Sequence, residues 1–359
     1  MNFFECNKVL LAGCAKDEAA YLPEWIFYHL KLGVSGILIY VNNTTDASEE
    51  MLLKIAEKHP VEYCIADGIE LKPDDAFADL ANRDYLRTNP IQSKYYADIY
   101  QKTSAADYDY ILYLDIDEFL HFDCHSVNST RKPASIDGDV INFRWFNLAG
   151  DTRNFVDLSQ TSSGSYDEYT KFMVRTGLSD VKFQDAHLCT SDNSPGDIAS
   201  HAQVLHRNLR SRDEYLALLT RRPPNTQNRL AFDIKQNRRG WSSRGQEQYP
   251  MNVIFFEGYS EQLCSFIETS SIQKLLSDAK SATLRKKEDF VAFIEGVQTT
   301  NTELGKVLFG TGLSHLSLRD VLRMRFLWRV LLLLKPQLIH QHKPISSKTI
   351  KGSRPGITD

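Results

Sequence analysis

The chain has 359 residues, 42% of them hydrophobic and 25% charged, with 42 Lys and Arg against 46 Asp and Glu for a formal net charge of −4. These fractions exclude intrinsic disorder, a collagen-like repeat and a disulfide-dense secreted scaffold, and the length suffices to bury a sizeable core. The near-neutral total averages two unlike parts: from Arg319 to Asp359 stand nine Lys or Arg and two Asp, a net of +7, which leaves −11 for the residues before them.

Residues 8–14, KVLLAGC, read as a short buried strand ending near a glycine. Leu11-Ala12-Gly13-Cys14 matches a bacterial lipoprotein cleavage box, but Glu5 and Asn7 break the apolar approach a signal peptide needs, so export is not expected. A helix opens at Asp17 or Glu18, places Tyr21, Leu22, Trp25, Ile26, His29 and Leu30 at helical spacing, and stops at Gly33. GILIYV (36–41) is a second strand, the polar loop NNTTDAS leads into a helix over 48–59, and VEYCIAD (61–67) is a third strand. A helix over 92–106 precedes DYILYLDID (109–117), a fourth strand closed by carboxylates. Strands alternating with helices through short connections predict an α/β fold, a mainly parallel sheet with helices on both faces.

After Pro133 the pattern changes. DVINFRWFN (139–147) and KFMVRT (171–176) are strands separated by a long polar loop, and a helix runs over 211–221. The stretch 222–248, with Pro223-Pro224 and five Arg, reads as a loop or linker, and 252–310 mixes strand and helix signals without a clear order. The expected organisation is a domain over 1–222, a mostly helical extension over 223–318, and a basic amphipathic helix with a disordered tail over 319–359. Six cysteines (Cys6, Cys14, Cys64, Cys124, Cys189, Cys264) form no Cys-x-x-Cys pair, which points to reduced thiols in a cytoplasmic setting. The longest apolar run outside the first strand, Val330 to Leu334, is too short to span a bilayer.

The sharpest chemical feature is Asp115-Ile116-Asp117-Glu118 directly after the apolar strand YILYL. In an open α/β sheet, ligands bind outside the carboxyl ends of strands, and two carboxylates there can hold a hard divalent cation that bridges diphosphate oxygens. A solvated acidic strand end is the plainer alternative. In the loop after the second strand, Asn42, Asn43 and Asp46 suit either ligand contacts or helix capping, and Lys16-Asp17-Glu18 after the first strand suits either a nucleotide contact or a helix start. A strand-end Asp-x-Asp also occurs in phosphatases of the haloacid dehalogenase type, but there it follows the first strand, not the fourth.

KDEAAYLPEWIFYHLKLGVSGILIYVNNTTDAS, then Gln92 and Tyr96 on a helix, then YDYILYLDIDEFL, resembles the family-2-like and family-92-like glycosyltransferases with their "LDxDEF" motif. The resemblance covers residues 8–120 in order and spacing and extends more loosely to about 222. It implies a GT-A fold, a nucleotide-sugar donor (UDP by family analogy), and Mn²⁺ or Mg²⁺ held by Asp115 and Asp117. Lys16, Glu18, Asn42, Asn43, Asp46, Gln92 and Asp115 are then the expected donor contacts. Lys16-Asp17 stands for the family's Arg-Asn, Val41 for an Asp, Tyr28-His29 for a His pair and Asn147 for a Gly.

Trp145 corresponds to the family's acceptor-side Trp, whereas Phe143 is expected in the core. Lys171, His187 and His206-Arg207-Asn208-Leu209-Arg210-Ser211, completed by Glu214 and Tyr215, resemble a later block. His187 or His206 is there a third metal ligand or a diphosphate contact, with a structural hydrogen bond as the alternative. Lys171, Arg207 and Arg210 offer charge to a departing diphosphate, or else surface ion pairs.

Inverting transfer of a hexose to a hydroxyl needs one carboxylate as base. Asp185 is preferred over Asp151 and Asp213, and Glu118 and His206 complete the expected catalytic set. The acceptor implied is a cell-surface glycan or glycolipid, lipopolysaccharide or capsule in type; nucleic acid is not an expected partner. The rival reading is a catalytically inactive nucleotide-sugar or glycan-binding protein of the same fold. Over 319–334 a helix would gather Arg319, Arg323, Arg325 and Arg329 on one side. That composition suits either an anionic membrane surface reached through 319–343, at the cytoplasmic face of the inner membrane, or a helix packed on the catalytic domain.

Overall fold

The computed structural model describes Phe4 and residues 7–66, 90–123, 138–161, 163–192, 194–219, 241–243, 245, 247–249 and 251–296. The expected domain limits at 222 and 318, most of the linker, and the basic C-terminal helix all lie outside these residues.

The first half is a parallel sheet. Strand β1 (Val9–Ala15) lies between β2 (Gly36–Val41) and β4 (Tyr110–Tyr113), and β3 (Val61–Ile65) pairs β2 on the outside, all parallel. Successive strand residues face opposite ways. Val9 and Leu11 therefore join the core under α1 (Leu22–Leu32) and α2 (Ser48–Ala56), while Leu10 and Ala12 join the one under α3 (Pro90–Lys102). Covering on both faces explains why these strands read as unbroken apolar runs.

The second half is mixed. Beyond β4 the order is β7 (Ser163–Arg175), β6 (Val140–Leu148), β10 (Asp197–His206) and β5 (Glu118–Phe122). β7 is antiparallel to both β4 and β6, β10 is parallel to β6, and β5 closes the edge antiparallel to β10. Short β8 (Lys182–Phe183) and β9 (Cys189–Thr190) form a separate ladder, and β11 (Glu247–Gln248) pairs the start of β7. Helix α4 (Arg212–Leu219) follows β10. Three further helices are described: α5 (Val253–Phe256), α6 (Tyr259–Thr269) and α7 (Gln273–Gly296). Phe255, Phe256, Tyr259 and Phe266 pack into the α1-side core. None of the described helices is long and apolar enough to cross a membrane. Cys14, Cys64, Cys189 and Cys264 are free thiols.

Three local departures from the sequence reading have physical causes. Helix α1 starts at Leu22, not at Asp17 or Glu18, because residues 17–21 are held as a loop, with Asp17 at φ 52 and its carboxylate accepting from the Thr45 amide at 2.6 Å. DYILYLDID is not one strand. β4 ends at Tyr113 and a turn follows, closed by Glu118 N donating to Asp115 O (3.0 Å) and Asp115 N donating to Glu118 Oε2 (2.8 Å). The polar stretch before Lys171 is strand from Ser163 onward. One side of it is solvated, so it lacks the apolar run that marks a buried strand.

Candidate active site

The turn after β4 sits at the carboxyl end of the parallel strands and leads straight into β5. Edge strand β5 is fixed from its free side by α1. Trp25 Nε1 donates to Glu118 O (2.9 Å), the Tyr28 hydroxyl donates to Leu120 O (2.9 Å), and Leu120 N donates to His29 Nε2 (3.4 Å). His29 Nδ1 in turn donates to Trp25 O (2.8 Å), so the ring is held as one neutral tautomer, and burial drives its pKa down to about 3. Three aromatic side chains on one helix face thus replace a missing strand neighbour.

Behind the turn lies a buried cation. Lys171 is 0% exposed, its Nζ 3.2 Å from Asp115 Oδ2 and 3.4 Å from Glu118 Oε2. The sequence offered this lysine to a diphosphate; the structure gives its charge to the two carboxylates instead. Burial would raise Asp115, yet Lys171 holds it below its ordinary value, whereas burial pushes Glu118 well above the usual carboxylate range. Glu118 is fully enclosed and shapes the turn through the Asp115 amide. Gln92 Nε2, from α3, donates to Asp115 Oδ1 and to the Tyr96 hydroxyl (2.6 Å). Both oxygens of Asp115 therefore have partners within the protein.

Asp117 faces the other way. Its carbonyl accepts from Arg207 N (2.7 Å), and its Oδ2 lies 3.8 Å from His206 Nε2. The tautomer of His206 follows from a chain of bonds. Asp167 Oδ2 only accepts, so Asn147 Nδ2 donates to it (2.7 Å), which turns Asn147 Oδ1 toward His206 Nδ1 (2.9 Å). Nδ1 then carries the proton, and a neutral His206 points its Nε2 lone pair at a carboxylate oxygen. Asn147 and Asp167 were not anticipated as site residues. The only signal was the replacement of a family Gly by Asn147.

His187, on the loop between β8 and β9, donates through Nδ1 to Thr170 O (3.2 Å), while its amide donates to Asp185 Oδ1 (2.5 Å). Burial, then the charge of Lys171, lowers its pKa to about 4, so the ring is neutral at pH 7. Trp145 links the histidines, with ring centroids 4.0 Å from His206 and 4.9 Å from His187. Phe143 is core, as expected. Asp151 pairs with Arg153 (3.3 Å) and Asp213 with Lys287 of α7 (3.0 Å).

The two loops expected to read a nucleotide are bonded to each other. Asp46 accepts from Ala19 N (2.9 Å), Ser48 N (2.9 Å) and the Thr44 hydroxyl (2.9 Å), and Ser48 Oγ accepts from Glu18 N (3.0 Å). Asn42 is buried and donates to Ala66 O (3.2 Å) and the Tyr95 hydroxyl (2.9 Å); Asn43 Nδ2 donates to Asn42 Oδ1 (3.2 Å). Lys16, half-buried, follows β1 at the rim. Of the two arginines, Arg207 is held by Glu24 Oε2 (2.7 Å) and Val156 O. Arg210 stacks 3.4 Å from the Tyr21 ring centroid, and its Nη2 donates to Glu18 Oε2 (3.3 Å). Its buried Nη1 has no hydrogen-bond partner among the described residues.

No family model matches this sequence, and no curated protein matches it. Among solved structures, it is similar to S. aureus TarS 1–349 at 15% identity and a TM-score of 0.28, over 48% of each chain. It is also similar to glucosyl-3-phosphoglycerate synthase from Mycobacterium tuberculosis, solved with Mn²⁺, UDP and phosphoglyceric acid (11% identity, TM-score 0.26, 48% of this chain and 57% of that one). A third is the galactosyltransferase LgtC with donor and acceptor sugar analogs (17% identity, TM-score 0.23, 46% and 57%). The chain thus spans about half the length of each of these three structures.

Proposed function

We propose that this protein is a metal-dependent GT-A glycosyltransferase that moves a hexose from a UDP-sugar to a hydroxyl of a cell-surface glycan acceptor. The observation that supports it is the opposition of Asp117 Oδ2 and His206 Nε2, 3.8 Å apart at the carboxyl end of the sheet. A metal ion between these two atoms would accept electron density from both. No group of three or more His, Cys, Asp or Glu among the described residues forms a ready-made metal cage. That suits an ion such as Mn²⁺ or Mg²⁺, which takes one or two protein ligands and completes its shell with phosphate oxygens and water. Asp117 and His206 would hold it, and its chemistry would be to offset charge on the departing diphosphate.

The remaining roles belong to the chain itself. Lys171 and Gln92 fix Asp115 at the rim beside the metal position. Arg210, with one guanidinium nitrogen unpartnered among the described residues, lies within electrostatic reach of Asp117. Asp185, half-exposed beside His187, is the base assigned to the acceptor hydroxyl. Titration calorimetry with UDP, with and without Mn²⁺, followed by UDP-sugar hydrolysis, tests the reading. Mn²⁺-dependent binding and turnover are expected. Asp117→Asn and His206→Ala should each weaken Mn²⁺-dependent UDP binding at least about tenfold, since changing even an outer-shell partner of a bound metal costs about 10–100-fold. Asp185→Asn should stop transfer and spare UDP binding. Metal-dependent binding without turnover of any donor would instead identify an inactive nucleotide-sugar-binding protein of this fold.

A further inference from the structure

The long β6–β7 ladder is irregular at one place. Arg144 pairs Thr170 and Phe146 pairs Tyr166, so the single residue Trp145 faces three residues of β7, 167 to 169. Extra residues of this kind bend a strand and re-aim its side chains, and they are over-represented next to active sites. Here the bulge is tied down by Asp167, whose Oδ1 accepts from Glu168 N (2.8 Å) while its Oδ2 takes the Asn147 amide. The consequence is Tyr169, a large aromatic ring left 45% exposed. It lies 5.5 Å from the Trp145 ring and 5.2 Å from that of His187. Trp145 in turn rests on His206, the partner of Asp117.

We propose that Tyr169, with the accessible part of Trp145 and His187, is the floor of a subsite that binds a neutral pyranose ring of the acceptor. The proposal rests on the transferase reading and specifies its acceptor side. A pyranose has an apolar C–H face and a rim of hydroxyls, and the floor matches the first with ring faces. At the edge stands the Asp185 carboxylate, held through Oδ1 by the His187 amide. A carboxylate accepts hydrogen bonds and repels anions, so it fits a sugar hydroxyl and not an acid or phosphate ester. Lys171, the cation whose charge reaches His187, is enclosed and pairs with Asp115 and Glu118, so it offers an anionic acceptor nothing.

The test uses the full chain loaded with UDP and Mn²⁺ and, as probes, the methyl glycosides of glucose, galactose, mannose and N-acetylglucosamine, with 3-phosphoglycerate as the anionic comparator. Saturation-transfer NMR reads which probe protons touch the protein, and titration gives affinities. At least one glycoside should bind through the C–H protons of one ring face. Tyr169→Ala should weaken it roughly three- to tenfold, the range of a single aromatic contact. Tyr169→Phe should keep it, and UDP affinity should be the same in all three proteins. The subsite is overturned if Tyr169→Ala leaves glycoside binding unchanged, if no glycoside binds, or if 3-phosphoglycerate binds more tightly than the glycosides, each with UDP binding intact. Failure of the wild-type chain to bind UDP overturns the transferase reading itself, and this proposal with it.

Discussion

Replacing Lys171 by Met removes one charge and little volume, and it isolates the electrostatics beneath the candidate site. The ammonium is 0% exposed and faces Asp115 at 3.2 Å and Glu118 at 3.4 Å; Glu118 is equally enclosed, whereas the Asp115 side chain is 32% exposed. Removing one partner of a buried ion pair costs about 3–5 kcal/mol, because the other charge is left behind without water. Most of that cost should fall on Glu118, since Asp115 can still be solvated. Lys171→Met is therefore expected to lose about 3–5 kcal/mol, and Lys171→Met/Glu118→Gln to regain about 1–3 kcal/mol beyond additivity. The sign with pH follows. Burial raises Glu118, and without Lys171 it rises further, so the folded variant binds a proton that the unfolded chain releases above its ordinary value. The deficit due to Glu118 then opens only above the pH at which it ionises beside Lys171, and closes as pH falls below that value. Urea unfolding of the four proteins, followed by tryptophan fluorescence and circular dichroism at pH 7 and 5, measures all three quantities. A loss below about 1 kcal/mol, or strict additivity in the double variant, would refute the picture of one buried lysine serving two carboxylates.

Two further outcomes are expected. His29 is neutral in the folded chain, with its pKa lowered by burial from an ordinary 6.5 to about 3, so its contribution is complete above pH 6.5 and lost as pH falls toward 3, at up to about 1.4 kcal/mol per pH unit. His29→Leu should be less stable at pH 7 by about 1–3 kcal/mol, because Leu120 N loses its acceptor, yet show a shallower decline in acid; parallel stability curves would contradict this. For the basic tail, flotation of the full chain with anionic liposomes should exceed that of a chain ending at Leu318, and equal flotation would remove the membrane-surface role of 319–343.

The parallel half of the fold was legible because its strands are buried on both faces and its helices follow at short intervals. Their spacing alone located β1, α1, β2, α2 and β3. Legibility stops where burial becomes one-sided. Ser163 to Thr170 is strand, but its polar and exposed residues resemble a loop, and β10 begins with exposed Asp197 and Ile198 before its apolar run. β5 was hidden for another reason. Glu118-Phe119-Leu120 follows the acidic pair so closely that the turn between two strands looked like the end of one. Its edge is completed by Trp25, Tyr28 and His29, a side-chain arrangement that no strand periodicity records.

Within the site, sequence order located the residues but not which way each one faces. Asp115 and Asp117 are two positions apart and read as equivalent ligands. In the fold, Asp115 turns to Lys171 and Gln92, while Asp117 turns to His206. The division depends on Lys171, 56 residues later in the chain, and on a relay through Asn147 and Asp167 that sets a histidine tautomer. The same relay pins the bulge that exposes Tyr169. Asp167 thus acts on both sides of the proposed reaction, with one oxygen holding the amide that orients His206 and the other the backbone that presents the aromatic floor. Long-range pairing of this sort leaves no trace in local spacing. It has to be read from the hydrogen bonds themselves.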